Sequence, residues 1–147
     1  MFNPYMAEAI NEAKKALELD EVPVGAVIVR NGEIISRAYN LRETSRQATA
    51  HAELLAIQKA CSHLNSWRLD NCDLYVTLEP CPMCAGAIIN ARIKSVYFGA
   101  YDPKGGACGS VADLFRKGNF NHAPIVYSGI MEDECETLLK EFFSKLR

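Results

Sequence analysis

The segment from residue 24 to residue 39 constrains the fold more than any other part of the sequence. A run rich in β-branched residues, 24–29, and a second extended segment, 33–39, flank the dipeptide Asn31-Gly32. Both residues of this dipeptide tolerate the positive φ angles of a type I′ turn, so it is a strong signal for a β-hairpin. We therefore predict two adjacent antiparallel strands early in the chain, around which the later elements must pack.

The rest of the chain alternates between helical and extended patterns. Helices are predicted by apolar spacing and by start and stop signals at 5–20, 50–64, 82–91 and 132–146. Further strands are predicted at 73–79, 95–99 and 124–129. A hairpin followed by alternating strands and helices predicts an α/β fold with three α/β/α layers, in which helices cover both faces of a central mixed five-stranded sheet. The Gly-rich segment 100–123 is long enough to be functional rather than a mere connection.

Length and composition are typical of one globular domain. The chain has 147 residues, of which 49% are hydrophobic and 23% charged, and nothing in 1–147 reads as a linker or a repeat. No apolar run reaches the roughly 20 residues of a membrane helix, and the N-terminus lacks the apolar core of a secretory signal. We therefore expect a soluble, cytoplasmic, single-domain protein. The net charge of −2 gives no global attraction to nucleic acid, so such a partner would need a local basic patch.

Two of the six cysteines stand at a predicted strand-to-helix junction. In a chain without a secretory signal, six cysteines favour buried thiols, a metal or catalysis over a disulfide scaffold. Pro80 should end the strand at Glu79, and Pro82 suits the first turn of a helix. Cys81 and Cys84, three positions apart, can then point the same way. Alone, this C-x-x-C pair is compatible with a redox pair, half of a structural zinc site, or two core thiols.

His51 and Glu53 lie at the start of another predicted helix. One imidazole and the two thiolates of Cys81 and Cys84 make three ligands of suitable softness for Zn²⁺. The remaining cysteines and histidines form no second close pair, so one coordination position stays open for water, as in catalytic zinc sites. At the first helical turn Glu53 can reach that position, where a carboxylate would carry protons rather than bind metal. Without these partners, His51 would be a structural histidine, and Glu53 would be a glutamate on a solvent-exposed face of the helix.

The two motifs together resemble a known signature. H-x-E at 51–53 followed by P-C-x-x-C at 80–84 is similar to the signature of the zinc nucleobase deaminases of the cytidine-deaminase-like superfamily. Downstream, F-G-A-x-D-x-K-x-G-A-x-G-S at 98–110 resembles the bacterial tRNA-specific adenosine deaminases, and the likeness covers nearly the whole chain. Tyr101 stands where that branch often has arginine, and Gly105 where threonine is common; both departures concern RNA contact rather than zinc chemistry.

The resemblance implies a cytidine-deaminase-like fold and a specific reaction. Adenosine at the wobble position of a tRNA anticodon would be hydrolysed to inosine, with water as co-substrate and release of ammonia. The family also implies one Zn²⁺ per subunit and a homodimer with each active site near the subunit boundary. The residues that match its functional positions are His51, Cys81 and Cys84 as zinc ligands, Glu53 as the catalytic residue, and Asn40, Asp102 and Lys104 as contacts to the substrate.

Two other interpretations are compatible with the sequence. A small-molecule deaminase acting on guanine or cytosine would use the same zinc and glutamate with a different pocket. A non-catalytic binding module would close its zinc with a fourth protein ligand. The sequence assigns no role to five further residues of types that can bind metal: Cys61, Cys72, Cys108, Cys135 and His122.

Overall fold

The computed structural model describes residues 1–146, which form five helices and five strands. In chain order these are α1 (Pro4–Glu18), β1 (Gly25–Arg30), β2 (Glu33–Tyr39), α2 (Arg42–Ser45), α3 (Ala52–Leu64), β3 (Cys72–Leu78), α4 (Pro82–Ala91), β4 (Ser95–Ala100), β5 (Ile125–Tyr127) and α5 (Glu132–Lys145). The strands form one sheet in the order β2-β1-β3-β4-β5. The predicted α/β class and five-stranded mixed sheet are confirmed.

The hairpin forms where the sequence places it. Strands β1 and β2 pair antiparallel, and the turn residues Asn31 and Gly32 have φ angles of 52° and 77°, as a type I′ turn requires. Strand β1 also pairs antiparallel with β3, whereas β3, β4 and β5 run parallel. The sheet is mixed because the hairpin joins a parallel set of strands.

Helices cover both faces of the sheet, each over its own apolar core. Helices α1 and α5 pack on one face, and α3 and α4 on the other. The contact between α1 and β1 is close: a Cβ on Gly25 would lie 2.0 Å from the carbonyl oxygen of Ala9. The three-layer prediction is therefore confirmed. Within the described residues no helix is both long and apolar enough to cross a membrane.

Among the differences from the sequence predictions, two boundaries and one unpredicted helix have a clear local cause. Helix α3 begins at Ala52 rather than at residue 50, because His51 keeps an extended backbone with ψ 149°. Strand β5 is shorter than predicted, since the chain turns through positive φ angles at Gly129 and Met131 soon after it. The four-residue helix α2 was not predicted, because it has no buried residue and hence no apolar pattern.

The connection from β4 to β5 packs against the start of α4. The backbone N–H of Ala107 donates to the carbonyl of Pro80 (2.8 Å), and His122 donates from Nε2 to the carbonyl of Ile93 (2.7 Å). The second bond gives a structural role to a histidine for which the sequence offered none. The first bond holds the start of the connection, which we call the 101–110 loop, beside the two cysteines, and the second holds its later part near the C-terminal end of α4.

Candidate active site

Several chain segments converge at one edge of the sheet. Strands β2, β3 and β4 end at this edge, because Tyr39 pairs with the first residue of β1, and Leu78 pairs with Ala100. The residues that follow these strands are Asn40, Glu79 and Tyr101, so the segments leading into α2, α4 and the 101–110 loop all begin here. The edge thus collects residues that lie 20 to 60 positions apart in sequence.

Two of the predicted ligands occupy the N-cap positions of the two helices on this side. His51 precedes α3 and Cys81 precedes α4, and both have extended backbones whose carbonyls accept the first helical hydrogen bond, from Leu55 (3.1 Å) and Ala85 (2.8 Å). Neither side chain caps its own helix. Both are therefore free to face a common point, together with Cys84 from the first turn of α4.

The three donor atoms fit a tetrahedral zinc ion. His51 Nδ1 lies 3.6 Å from the Sγ atoms of both Cys81 and Cys84, and all three donor atoms lie within 4.8 Å of one another. Zinc with bonds of about 2.1 Å to nitrogen and about 2.3 Å to sulfur requires a nitrogen–sulfur separation of about 3.6 Å at the tetrahedral angle. The donor set thus matches zinc in chemistry and in spacing.

The protonation of the two thiols is coupled. A hydrogen bond with Cys84 lowers the pKa of Cys81 to about 4, although burial opposes this shift. The same hydrogen bond, reinforced by burial, raises the pKa of Cys84. A metal that binds both sulfurs must therefore displace a proton from the pair, and this proton is held more tightly by Cys84 than by Cys81.

Glu53 lies beside the ligands but is not one of them. It occupies the first turn of α3, is 4% exposed, and is absent from the group of side chains whose donor atoms come close enough to share an ion. Burial raises the pKa of Glu53 to about 7. In residues 1–146, moreover, no fourth Cys, His, Asp or Glu joins His51, Cys81 and Cys84. A closed structural zinc site finds no support in this geometry.

A small cavity opens beside the three donor side chains. It has a volume of about 120 Å³, and its lining includes five of the seven residues predicted from the sequence: Asn40, His51, Glu53, Cys81 and Asp102. Cys84 is fully buried. Lys104 does not reach the cavity; it is exposed and lines a neighbouring groove.

The groove is larger and continuous with the cavity. Its volume is about 690 Å³, and it shares Val22, Leu78 and Asp102 with the smaller cavity. Tyr101, where related sequences often have arginine, lines the groove and donates from its hydroxyl to Ser128 Oγ (2.9 Å). Helix α5 contributes apolar side chains to the far side of the groove. The site is thus a small cavity, lined by most of the predicted site residues, beside a larger and mostly apolar groove.

Asp102 has a local structural role as well. Its Oδ1 accepts hydrogen bonds from the backbone N–H groups of Lys104 and Gly105, both at 3.1 Å. The side chain therefore shapes the 101–110 loop, in addition to lining the cavity and the groove.

Two buried carboxylates next to the cavity, Glu21 and Glu79, were not predicted from the sequence as site residues. They are 1% and 2% exposed, respectively. Glutamate is rarely buried unless its charge is paired or hydrogen-bonded, and those partners are distant in sequence. The available signal was that Glu79 directly follows a buried strand, where an unpartnered carboxylate would be costly.

Comparison with known proteins places this site in context. The MafB19-like deaminase family matches residues 3–147. The tRNA-specific adenosine deaminase of Bacillus subtilis is 57% identical over 143 residues, which cover 97% of this chain and 89% of that protein. A solved structure from a study of A-to-I editing by tRNA:A34 deaminases superposes with a TM-score of 0.90 at 49% identity, covering 92% of this chain and 99% of that chain. The structure of guanine deaminase from Bacillus subtilis gives a TM-score of 0.66 at 41% identity, covering 78% of this chain and 74% of that chain.

Proposed function

This chain belongs to the deaminase family of the tRNA-specific adenosine deaminases, and we propose that it hydrolyses adenosine to inosine at the wobble position of a tRNA anticodon. Water is the co-substrate and ammonia the second product. The observation that carries this proposal is the triangle of one imidazole and two thiol donors, with a buried carboxylate beside it, at the bottom of a cavity.

One zinc ion per chain is part of the proposal. His51, Cys81 and Cys84 would hold it, because their donor atoms have the softness and the spacing that zinc prefers. When bound, zinc would act as a Lewis acid and lower the pKa of a water molecule to near neutrality. The first turns of α3 and α4 direct backbone N–H groups at the same point, which favours negative charge there.

Glu53 is proposed as the proton carrier of the reaction. Its carboxylate takes a proton from the attacking water and delivers a proton to N1 of the purine, which makes C6 more electrophilic. It then takes the second proton of the added water and delivers it to the departing amine, so that the C6–N bond breaks, ammonia leaves, and the 6-oxo product keeps its proton on N1. Its burial supports this role, because a carboxyl group shielded from bulk water exchanges protons with the substrate rather than with solvent.

Asn40 is proposed to recognise the purine. A carboxamide offers both a donor and an acceptor to a base edge, and Asn40 lines the cavity together with His51 and Glu53. The cavity is much smaller than the roughly 300–1,000 Å³ of pockets for drug-sized ligands, which suits a single base. The target nucleotide must therefore be splayed out of its loop, which costs least in a single-stranded anticodon.

The groove favours an RNA substrate over a free base. Nucleotides that flank the target adenosine need a continuous surface next to the cavity, and the groove of about 690 Å³ provides one. We assign Asp102, at the junction of cavity and groove, and Lys104, within the groove, to contacts with these nucleotides. A guanine or cytosine deaminase remains the second candidate because of the likeness to guanine deaminase, but a free base would leave the groove unused.

We further propose a homodimer in the cytoplasm, with 1–147 as one deaminase domain; Arg147 lies outside the described residues. Large apolar side chains are exposed on α4 and on the β4–β5 connection, namely Met83, Val111 and Phe120. Apolar side chains exposed on neighbouring segments are typical of surfaces that another chain covers. Sedimentation analysis at micromolar concentration tests the dimer, and a monomer under these conditions would exclude it.

The substrate proposal is tested by a side-by-side assay. Purified protein is incubated with an anticodon stem–loop carrying adenosine at the wobble position, with the same stem–loop carrying that adenosine one position later, and with free guanine, cytosine and adenine. We expect inosine only in the first RNA. Efficient turnover of a free base without action on the RNA would replace this proposal with the second candidate.

The zinc proposal has an independent test. Metal analysis is expected to give one zinc per chain, and X-ray absorption is expected to give one nitrogen, two sulfurs and one light oxygen ligand. A third sulfur at the metal would instead support a closed, non-catalytic site.

A further inference from the structure

Two buried glutamates next to the cavity have no part in the proposed chemistry. Glu79 lines the cavity, and Glu21 lies behind the segment that carries Asn40. Neither belongs to the metal-binding group. No hydrogen bond joins either carboxylate to a basic side chain among the described residues; instead, both accept mainly from backbone N–H groups.

The Glu79 carboxylate accepts hydrogen bonds from both ends of the 101–110 loop. Its Oε1 accepts from the N–H of Asp102 (3.0 Å), and its Oε2 accepts from the N–H groups of Cys108 (3.1 Å) and Ser110 (3.0 Å). The hydroxyl of Ser110 also donates to Oε1. Gly106 lies directly on this carboxylate, since a Cβ there would come within 2.3 to 2.5 Å of all three carboxyl atoms. The loop is therefore wrapped around a single buried charge.

The Glu21 carboxylate likewise accepts hydrogen bonds from the backbone of the segment that follows Asn40. Its two carboxylate oxygens accept from the N–H groups of Glu43 (3.1 Å) and Thr44 (2.6 Å), at the start of α2. The N-cap residue of α2, Leu41, cannot cap the helix with its own side chain, so Glu21 supplies the missing acceptor from a distant part of the chain.

We propose that Glu21 and Glu79 are positioning residues that fix the shape of the substrate site through backbone amides. A buried carboxylate accepts hydrogen bonds but cannot donate one, and it is tolerated only when its oxygens are well bonded. Each glutamate thus fixes the path of the segment it binds, and these segments carry Arg42 and Asp102 into the lining of the cavity. The kinetic part of this inference rests on the proposed function, whereas the structural part does not.

The test uses Glu79→Gln and Glu21→Gln in the full chain. Glutamine has nearly the same shape, but one of its two terminal groups is a donor and cannot accept from an N–H. In Glu79→Gln we expect faster amide hydrogen exchange at Asp102, Cys108 and Ser110 only. In Glu21→Gln the exchange should rise at the start of α2 only.

Kinetics separate positioning from a merely structural role. For the anticodon stem–loop we expect KM to rise by about tenfold in each variant, with a smaller fall in kcat, because the substrate surface and not the proton carrier is disturbed. Zinc content should stay at one per chain. Glu12→Gln is the matched control: Glu12 is also buried, at 4% exposure, but it binds Lys15 on α1 and does not line the cavity. Both its amide exchange and its KM should stay at wild-type values.

The outcomes distinguish this inference from the proposed function. A uniform rise in exchange across the sheet, no rise in the two segments, or an unchanged KM would each overturn it. If the wild-type protein leaves the stem–loop unmodified and instead deaminates a free base, the proposed function fails, and localised exchange with a raised KM for that base would still support positioning. If Glu79→Gln does not fold, Ser110→Ala removes one donor to the same carboxylate and should give the same localised exchange at smaller amplitude.

Discussion

Gly106→Ala adds a single methyl group at the place where the 101–110 loop touches Glu79. The new Cβ would lie 2.3 Å from Cδ of Glu79 and 2.4 and 2.5 Å from its two oxygens, well below the 3.0 Å that real Cβ contacts respect. Glu79 is 2% exposed and is bonded from both ends of the loop, so the carboxylate has no free direction in which to move. The loop or the carboxylate must therefore give up hydrogen bonds.

The cost follows from the number of bonds lost. A hydrogen bond to a charged group contributes about 1.5–3 kcal/mol, and relief of the clash requires the loss of one or two of them, so we expect a decrease of about 1.5–6 kcal/mol in the free energy of unfolding. For a chain of this size, each kcal/mol shifts Tm by about 2–4 °C, which predicts a fall in Tm of about 3–24 °C.

Urea denaturation of the zinc-loaded protein measures this change, with Gly105→Ala as the matched control. The control adds the same methyl one residue earlier, where the nearest atom, Asp102 Oδ2, is 3.3 Å away and needs to move by only a few tenths of an ångström. We expect the control to stay within about 0.5 kcal/mol of the wild type. Equal effects of the two substitutions would refute the reasoning, as would a full cost of Gly106→Ala in a Glu79→Ala background, where the methyl has room.

Four further predictions concern the metal site, the core and pH. Glu53→Gln is expected to keep zinc and fold while kcat on the stem–loop falls at least about 100-fold, and near-normal turnover would exclude Glu53 as the proton carrier. Cys84→Ser should leave the dialysed protein without stoichiometric zinc by metal analysis; full retention would contradict its role as a ligand. Gly25→Ala places a methyl 2.0 Å from the carbonyl oxygen of Ala9, so denaturation should show a loss of about 3 kcal/mol or more, and a loss below 1 kcal/mol would contradict the close packing of α1. Burial would raise the pKa of Glu79, but hydrogen bonds from the Ser110 hydroxyl and from backbone N–H groups of the loop lower it below its unfolded value of 4.5. The stability it confers is therefore present above pH 4.5 and is lost as the pH falls through the lower folded pKa, and Glu79→Gln should flatten this acid loss in pH-dependent denaturation.

The features that could be predicted from the sequence are those set by neighbouring residues. The Asn31-Gly32 turn depends on two adjacent residues, and its φ angles came out as expected. Pro80 and Pro82 likewise fix a strand end and a helix start within three positions, which placed Cys81 at the N-cap of α4. A short motif with strict backbone requirements determines its own local structure, and two such motifs bring the side chains of His51, Cys81 and Cys84 together.

The features that could not be predicted depend on partners far away in sequence. Glu79 receives its donors from positions 102 to 110, and Glu21 from positions 43 and 44, so neither interaction leaves a periodic pattern. Asp102 and Lys104 both line the groove, and only Asp102 also reaches the cavity, a division that depends on how distant segments pack and not on the sequence of the loop itself. Which groups meet in space was decided by the sheet topology, which the sequence indicated only in outline.

The seating of Gly106 on Glu79 has a consequence for protein engineering. The β4–β5 connection of another deaminase could be grafted onto this scaffold in order to redirect it to a new nucleic acid. The grafted loop would fit only if it had glycine at the position of Gly106. A donor loop that carries any larger residue at that point would lift off its carboxylate anchor, however well its outer surface matched the new target. The contact between Gly106 and the buried Glu79 carboxylate thus decides whether a graft is compatible, although Gly106 lines neither the cavity nor the groove.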